Sequence, residues 1–157
     1  MNDFNNIGLD TERSVELQSK LNELLANYSH FYMNVRGFHW NIQGEEFFTL
    51  HAKFEELYND LMIKIDEIAE RILTLEGTPL HAYSEYAKIS EVPEVQGVSN
   101  GNKAVSSILA ALKIVITQQR EILNLSGELD DEGTNALMSD YIREQEKLVW
   151  MYSAYLR

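Results

Sequence analysis

The sequence predicts an all-α protein, a bundle of four long amphipathic helices with one long crossover that contains a short helix. Three observations carry this reading. Only two prolines and eight glycines are spread over 157 residues, too few breakers for a fold of many short strands. Apolar residues recur every three or four positions over long stretches, the period of a helix that buries one face. The connections run short, long, short, so the first two helices and the last two are each antiparallel neighbours.

The first helix is expected from about Thr11 to Trp40, with Leu17, Leu21, Leu24, Tyr28, Phe31 and Val35 as its apolar stripe. Asp10 or Thr11 can cap its start. A tight turn over residues 41–44 leads to a second helix from about Glu46 to Glu76, with Leu50, Phe54, Leu57, Leu61, Ile65, Ile68 and Ile72 facing inward. Gly77 followed by Pro79 reads as its stop. Residues 77–100 hold both prolines and form the crossover, with room for a short helix from Tyr83 to Ala87. The third helix starts near Gly101 or Asn102 and is expected to end at Gly127. The fourth begins after Asp130, Asp131, Glu132 and Gly133 and runs nearly to Arg157. The crossover must return along the bundle, which makes the second and third helices parallel and gives the ferritin-like topology. The whole chain reads as one domain, with residues 1–10 as a flexible N-terminal segment.

The charge balance narrows the partners. A formal charge of −12 disfavours a surface that grips DNA or an anionic membrane, and suits one that gathers cations. With no cysteine, a bound metal must use mainly nitrogen and oxygen ligands. The first ten residues have no basic and apolar stretch of the signal-peptide kind, and no apolar run approaches the ~20 residues of a membrane span. The expected location is the cytoplasm.

Several polar residues do not belong to a plain bundle. His51 and Glu55 lie four apart on the second helix, one turn above the other on one face. Asp66 and Glu70 repeat that spacing with two negative charges, which repel unless a cation sits between them. His39 closes the first helix and can face His51 across the tight turn. Taken singly, each has an ordinary surface role. Asp66, however, lies fifteen residues beyond His51, about 22 Å along a helix axis. Either these are unrelated surface pairs, or the carboxylates of one chain meet the histidines of another across a two-fold axis. Glu67 and Arg71 read as an ordinary acid-before-base pair. None of His30, His39, His51 and His81 has a glutamate three residues before it, so the Glu-x-x-His motif of an intra-bundle di-iron site is absent.

The stretches Phe38-His-Trp-Asn-Ile-Gln-Gly44, Phe47-Phe-Thr-Leu-His51-Ala-Lys-Phe-Glu55-Glu-Leu-Tyr58 and Asp66-Glu-Ile-Ala-Glu-Arg-Ile72, with Lys147-Leu-Val-Trp150-Met, resemble the signature of the Dps family of mini-ferritins. The resemblance implies a homo-oligomeric shell of twelve subunits with ferroxidase sites at its two-fold interfaces. It assigns His39, His51 and Glu55 to one subunit and Asp66 and Glu70 to the other. It implies oxidation of Fe(II) by hydrogen peroxide or dioxygen, with storage of the ferric product as a mineral and protection against oxidative damage. Imidazole and carboxylate suit Fe(II), though zinc and manganese can use the same donors. Trp40 matches an aromatic beside the site that takes up oxidising equivalents, or simply packs there. Asp131 and Asp140 match an acidic iron-entry pore at the three-fold axes, where repetition concentrates negative charge. The family's DNA role is not expected here. Members that bind DNA often carry a basic tail, and no basic residue precedes Arg13. The sequence assigns no function to His30 or His81, whose default roles are helix packing and loop structure.

Overall fold

The computed structural model describes residues 3–157, which form five helices and no named strand. They are α1 (Thr11–Asn41), α2 (Phe47–Thr74), α3 (Tyr83–Ile89), α4 (Gly101–Glu128) and α5 (Glu132–Tyr155). The four long ones make the bundle and α3 lies in the crossover, as the apolar periodicity predicts.

Three of the long helices begin on a side chain that accepts from a backbone N–H left free in the first turn. Asp10, Asn100 and Asp131 take this role for Arg13, Lys103 and Thr134, each at 3.0 Å. The two helix stops differ from expectation. Gly77 does not adopt the left-handed conformation that ends α2. Glu76 does, at φ 65°, and the Gly77 N–H reaches back to the Ile72 carbonyl at 2.9 Å. Gly77 is needed for space instead, since a Cβ there would lie 2.8 Å from the Gln18 side chain. Likewise α4 runs through Gly127. It ends where Asp130 takes φ 58° and the Asp131 N–H meets the Ser126 carbonyl at 2.9 Å.

The expected stripe of α1 is fully internal. In α2 the pattern needs a correction. Ile65 is only partly buried, and Lys64 takes the core-facing place at 4% exposure. Its ammonium lies 2.8 Å from both Asp60 and Glu144, and 5.0 Å from the centre of the Tyr141 ring. Burial alone would lower its pKa, but the hydrogen bonds and charges of the two carboxylates outweigh it and the net direction is up.

A polar face of α1 carries the crossover. Gln18 donates to the Leu75 carbonyl, and Asn22 pairs with Thr78 and Leu80. Further along, Asn27 accepts from the N–H groups of Glu91 and Val92. His30 donates to the Val92 carbonyl, and Asn34 bonds Pro93 and Val95. The segment therefore runs in the same direction as α1, back along the bundle. Its end is held beside the α1–α2 turn by Gln43 N–H to Ser99 O, 2.9 Å. This return places the start of α4 level with the start of α2 and makes the two parallel. His30 thus ties the crossover to α1, and His81 bonds only the nearby Pro79 carbonyl in the loop.

Residues 1–10 read as a flexible segment. Met1 and Asn2 lie outside the described residues. From Asp3 onward the chain closes a turn, with Asn5 Oδ1 accepting from Ile7 and Leu9, and the Asn6 N–H reaching Glu76. No described helix is long and apolar enough to cross a membrane.

Burial raises the Tyr28 phenol well above its ordinary 10.0, and burial with the Glu67 hydrogen bond does the same for Tyr141. Above pH 10.0 the unfolded chain therefore loses protons that the folded chain keeps, and stability falls as pH rises. The urea midpoint, followed by circular dichroism, is expected to be lower at about pH 11 than at about pH 8.

Candidate metal centre

The five-residue connection 42–46 brings the end of α1 against the start of α2. The Ile42 N–H, 3.0 Å from the Phe38 carbonyl, closes the last turn of α1. This places His39 and His51 face to face, ring centres 3.8 Å apart and 14° from parallel. Each ring bonds the backbone of the other. His39 Nδ1 lies 2.6 Å from the His51 carbonyl, and His51 Nδ1 lies 2.7 Å from the His39 carbonyl. A carbonyl can only accept, so both Nδ1 atoms carry hydrogen, and Nε2 of each ring is the nitrogen left to face a ligand. This is how a protein presents metal-binding imidazoles, one nitrogen anchored and the other offered.

Aromatic rings hold the pair in place. Phe47 stacks on His51 at 5.0 Å, and Tyr58 meets His39 edge-on at 5.3 Å. Glu55, exposed and one turn after His51, accepts from the Tyr58 hydroxyl at 3.5 Å. The structure thus pairs His39 with His51 at one end of the α1–α2 hairpin and sets Glu55 one turn further along α2.

Asp66 and Glu70 are not brought to them. Both are exposed, further down α2, and the helical rise alone puts Asp66 about 22 Å from His51. Among the described residues, no three of His, Asp and Glu converge closely enough within one chain to hold an ion.

The bundle interior holds a different polar chemistry. Tyr28 donates to Gln119, Gln119 to Gln145, and Gln145 back to Tyr28, a closed ring drawn from α1, α4 and α5. All three residues are at most 1% exposed. Every member both donates and accepts, so the ring satisfies its buried groups by itself. The ring presents neutral amides and a phenol, not a set of metal ligands.

The expected pore residues separate. Asp131 is corrected from a pore lining to an internal support. At 2% exposure it caps α5 and pairs with Arg71 at 2.7 Å. Arg71 Nε also donates to Thr134 at 2.8 Å, and Gly133 makes room for it, since a Cβ there would lie 2.7 Å from the guanidinium. Glu67 is accordingly not the partner of Arg71; it accepts from Tyr141 at 2.9 Å. Asp140 is exposed and paired only with Arg143, at 3.1 Å.

Trp40 is 57% exposed, with the Arg36 guanidinium 4.7 Å above its ring. The sequence reading missed Arg36, Tyr32 and Tyr58. The four-residue steps from Tyr32 to Arg36 to Trp40 were legible as one face of α1. The approach of Tyr58 from α2 depends on how the two helices are set against each other.

Comparison with known proteins agrees with this architecture. Residues 18–157 match the model of the ferritin-like domain family. A solved Dps protein of Vibrio cholerae O1, described as a member of a broad superfamily of ferritin-like diiron-carboxylate proteins, superposes with a TM-score of 0.97. It is 58% identical over 98% of this chain and 97% of its own. An uncharacterized protein of Haemophilus influenzae is 58% identical over 148 residues, 94% of this chain and 92% of its own length. A DNA protection during starvation protein of Porphyromonas gingivalis is 44% identical over 148 residues, covering 94% and 93%.

Asp131 and Asp140 are expected to respond differently to substitution. Asp131→Ala removes a helix cap and leaves Arg71 without its carboxylate, a loss of about 3 kcal/mol in urea denaturation. Asp140→Ala, at an exposed pair, is expected to change stability by less than about 0.5 kcal/mol.

Proposed function

This chain belongs to the Dps family of ferritin-like proteins, and on that premise we propose that it is a ferroxidase and iron-storage shell whose sites form between subunits. The observation that carries the reading is the exchanged hydrogen bond pair of His39 and His51, which leaves two Nε2 donors free. His39, His51 and Glu55 of one subunit bind the substrate iron, and Asp66 and Glu70 of the partner subunit complete the site. Two-fold symmetry gives each interface two such sites. This arrangement also answers why Asp66 and Glu70 stand four apart with no cation of their own, since a shared metal ion removes their repulsion.

The reaction is the transfer of one electron from each of two Fe(II) ions to hydrogen peroxide, which takes up two protons and leaves as two waters. Dioxygen is the alternative oxidant. Carboxylates stabilise the ferric product more than the ferrous substrate, because they are anionic, hard donors. Ferric product collects as mineral inside a shell of twelve chains in the cytoplasm. Asp140, exposed on α5, is assigned to the iron-entry pore.

Loss of a group that merely orients a metal ligand costs roughly 10–100-fold, so loss of a ligand costs at least as much. Iron oxidation, followed by ferric absorbance, is expected to fall by that factor in His51→Ala and in Asp66→Ala. Particles reassembled from a mixture of the two variants are expected to regain part of the rate, because some interfaces then pair an intact His set with an intact carboxylate pair. Unchanged rates in both single variants would remove the site assignment, and a dissociated monomer with full activity would remove the shared site.

Protection of DNA by this chain is read as removal of iron and peroxide, not as a grip on the duplex. Sequence-independent binding rests on phosphate neutralisation, which a formal charge of −12 opposes. In a gel-shift assay at low salt the particle is expected to leave duplex DNA unretarded; retention that weakens with added salt would contradict this.

A further inference from the structure

Six lysines and arginines lie on α1 and α2. Lys20, Lys53, Lys64 and Arg71 pair with carboxylates of the chain, and Arg13, at the end far from the histidines, donates to the Glu128 carbonyl. Arg36 alone has neither kind of partner among the described residues. We propose that Arg36 pairs with Asp66 of the partner subunit, so that the metal-free two-fold interface carries its own counter-ion and stays assembled before iron arrives. This rests on the shared-site reading above.

The guanidinium is held in place by aromatic rings. Its carbon lies 4.7 Å from the Trp40 ring centre, 5.3 Å from Tyr58 and 5.7 Å from Tyr32, and Nη1 donates to the Tyr32 hydroxyl at 3.1 Å. The buried Nε has no hydrogen-bond partner. Ring faces attract a cation but do not neutralise it. A partly buried charge left in this state is costly unless an anion from outside the chain meets it. Tyr58 also fixes the side on which that anion must come. Arg36 lies over its ring and its hydroxyl donates to Glu55 at 3.5 Å, so the guanidinium and the exposed Glu55 carboxylate belong to one face of the hairpin.

Helix register selects the anion. His39 stacks on His51, and seven residues back along α1 Tyr32 meets Tyr58, which lies seven residues on along α2. The two helices therefore keep one antiparallel register between these contacts, and Arg36 is level with Phe54 and Glu55. A two-fold axis across α2 makes the two copies of that helix antiparallel as well. Asp66 and Glu70 stand one turn apart, as do His51 and Glu55. An interface that sets the partner's Glu70 level with His51 thus sets the partner's Asp66 level with Glu55, and so with Arg36. Asp66 is exposed and has no ion pair within its own chain among the described residues.

Charge balance requires such a pair. Each two-fold contact gathers Glu55, Asp66 and Glu70 from both chains, and like charges at close range oppose association. Lys53 is committed to Glu56, and Lys64 to Asp60 and Glu144. The two Arg36 side chains are the cations left on these helices to offset the carboxylates. A guanidinium suits the place, because it stays charged at any working pH and can bond a carboxylate through its edge while its faces rest on aromatic rings. When iron binds, the metal takes over the neutralisation, and Asp66 changes from the partner of an arginine to a ligand.

The test uses the full chain, freed of metal by a chelator. Mass photometry over a dilution series reads assembly, and circular dichroism checks that each variant is helical. The unaltered protein is expected to stay assembled. In Arg36→Gln the concentration of half-dissociation is expected to rise on the order of tenfold or more, and one Zn(II) per site is expected to reverse the change. Asp66→Asn lies at an exposed position and decides the matter even where Arg36→Gln fails to fold. It is expected to weaken the chelated particle when Arg36 is present, and to strengthen it in the Arg36→Gln background. A carboxylate that only repels would strengthen assembly in both backgrounds, and that result overturns the proposal. So does an unaltered particle that falls apart in chelator, or a chelated Arg36→Gln particle as stable as the unaltered one. A loss in Arg36→Gln that neither Zn(II) nor Asp66→Asn reverses also overturns it, since Arg36 would then act by packing alone. Ferric absorbance in His51→Ala separates the failures: an undiminished rate there refutes the shared-site reading, while a lost rate with an overturning result refutes only the role of Arg36.

Discussion

The register of α1 against α2 is the constraint on which the rest of the site depends, and the exchanged hydrogen bonds of His39 and His51 express it directly. Each bond joins a side chain to the backbone of the other helix. A shift of either helix by one residue would break both and swing the rings apart, because successive positions point 100° away from one another around a helix. The five-residue connection allows no slack, and its Gln43 is tied in turn to Ser99 at the end of the crossover. One short turn thus sets the histidine pair, the stacking of Phe47, the approach of Tyr58 and the place where α4 begins.

The bundle interior and its surface divide the chemistry between them. Inside, Tyr28, Gln119 and Gln145 satisfy one another in a closed ring, and Lys64 holds its charge between Asp60 and Glu144. Such groups tolerate burial because each finds a partner there. They also occupy the part of the bundle in which a ferritin-like protein with Glu-x-x-His motifs would carry its metal. The donors that remain free lie at the ends and along the exposed face of α2. A metal centre built from them has to be completed from outside the chain, and the physical reason lies in helix geometry, since no side chain spans the length between His51 and Asp66.

Much of this was legible in the residues. The four helices, the short connections and the returning crossover follow from periodicity and from where the prolines and glycines fall. The five proposed ligands stood out because His51 with Glu55 and Asp66 with Glu70 share faces of one helix. The errors have local causes. Gly77 and Gly127 look like helix stops, but Glu76 and Asp130 take the left-handed position, and a helix end is settled by which carbonyls remain to be capped. Glu67 stands one turn before Arg71, a spacing that suggests a pair. Folding instead sends Arg71 to Asp131 and Glu67 to Tyr141, contacts with α5 and its cap sixty or more residues away that no local pattern reveals.

What the sequence by itself determined is one-dimensional: helix positions, the face on which each residue lies, and the 1.5 Å rise that keeps Asp66 away from His51. Those follow from the covalent chain and the helical repeat, so they need no partner. What only the tertiary structure decided is which faces meet. It turned Asp131 from a surface acid into a buried cap, since Arg71 and the start of α5 converge on it. It placed Lys64 in the core, where two carboxylates and an aromatic ring hold its ammonium. And it anchored Nδ1 of both histidines while leaving Nε2 free, because the carbonyl each ring needs belongs to the neighbouring helix.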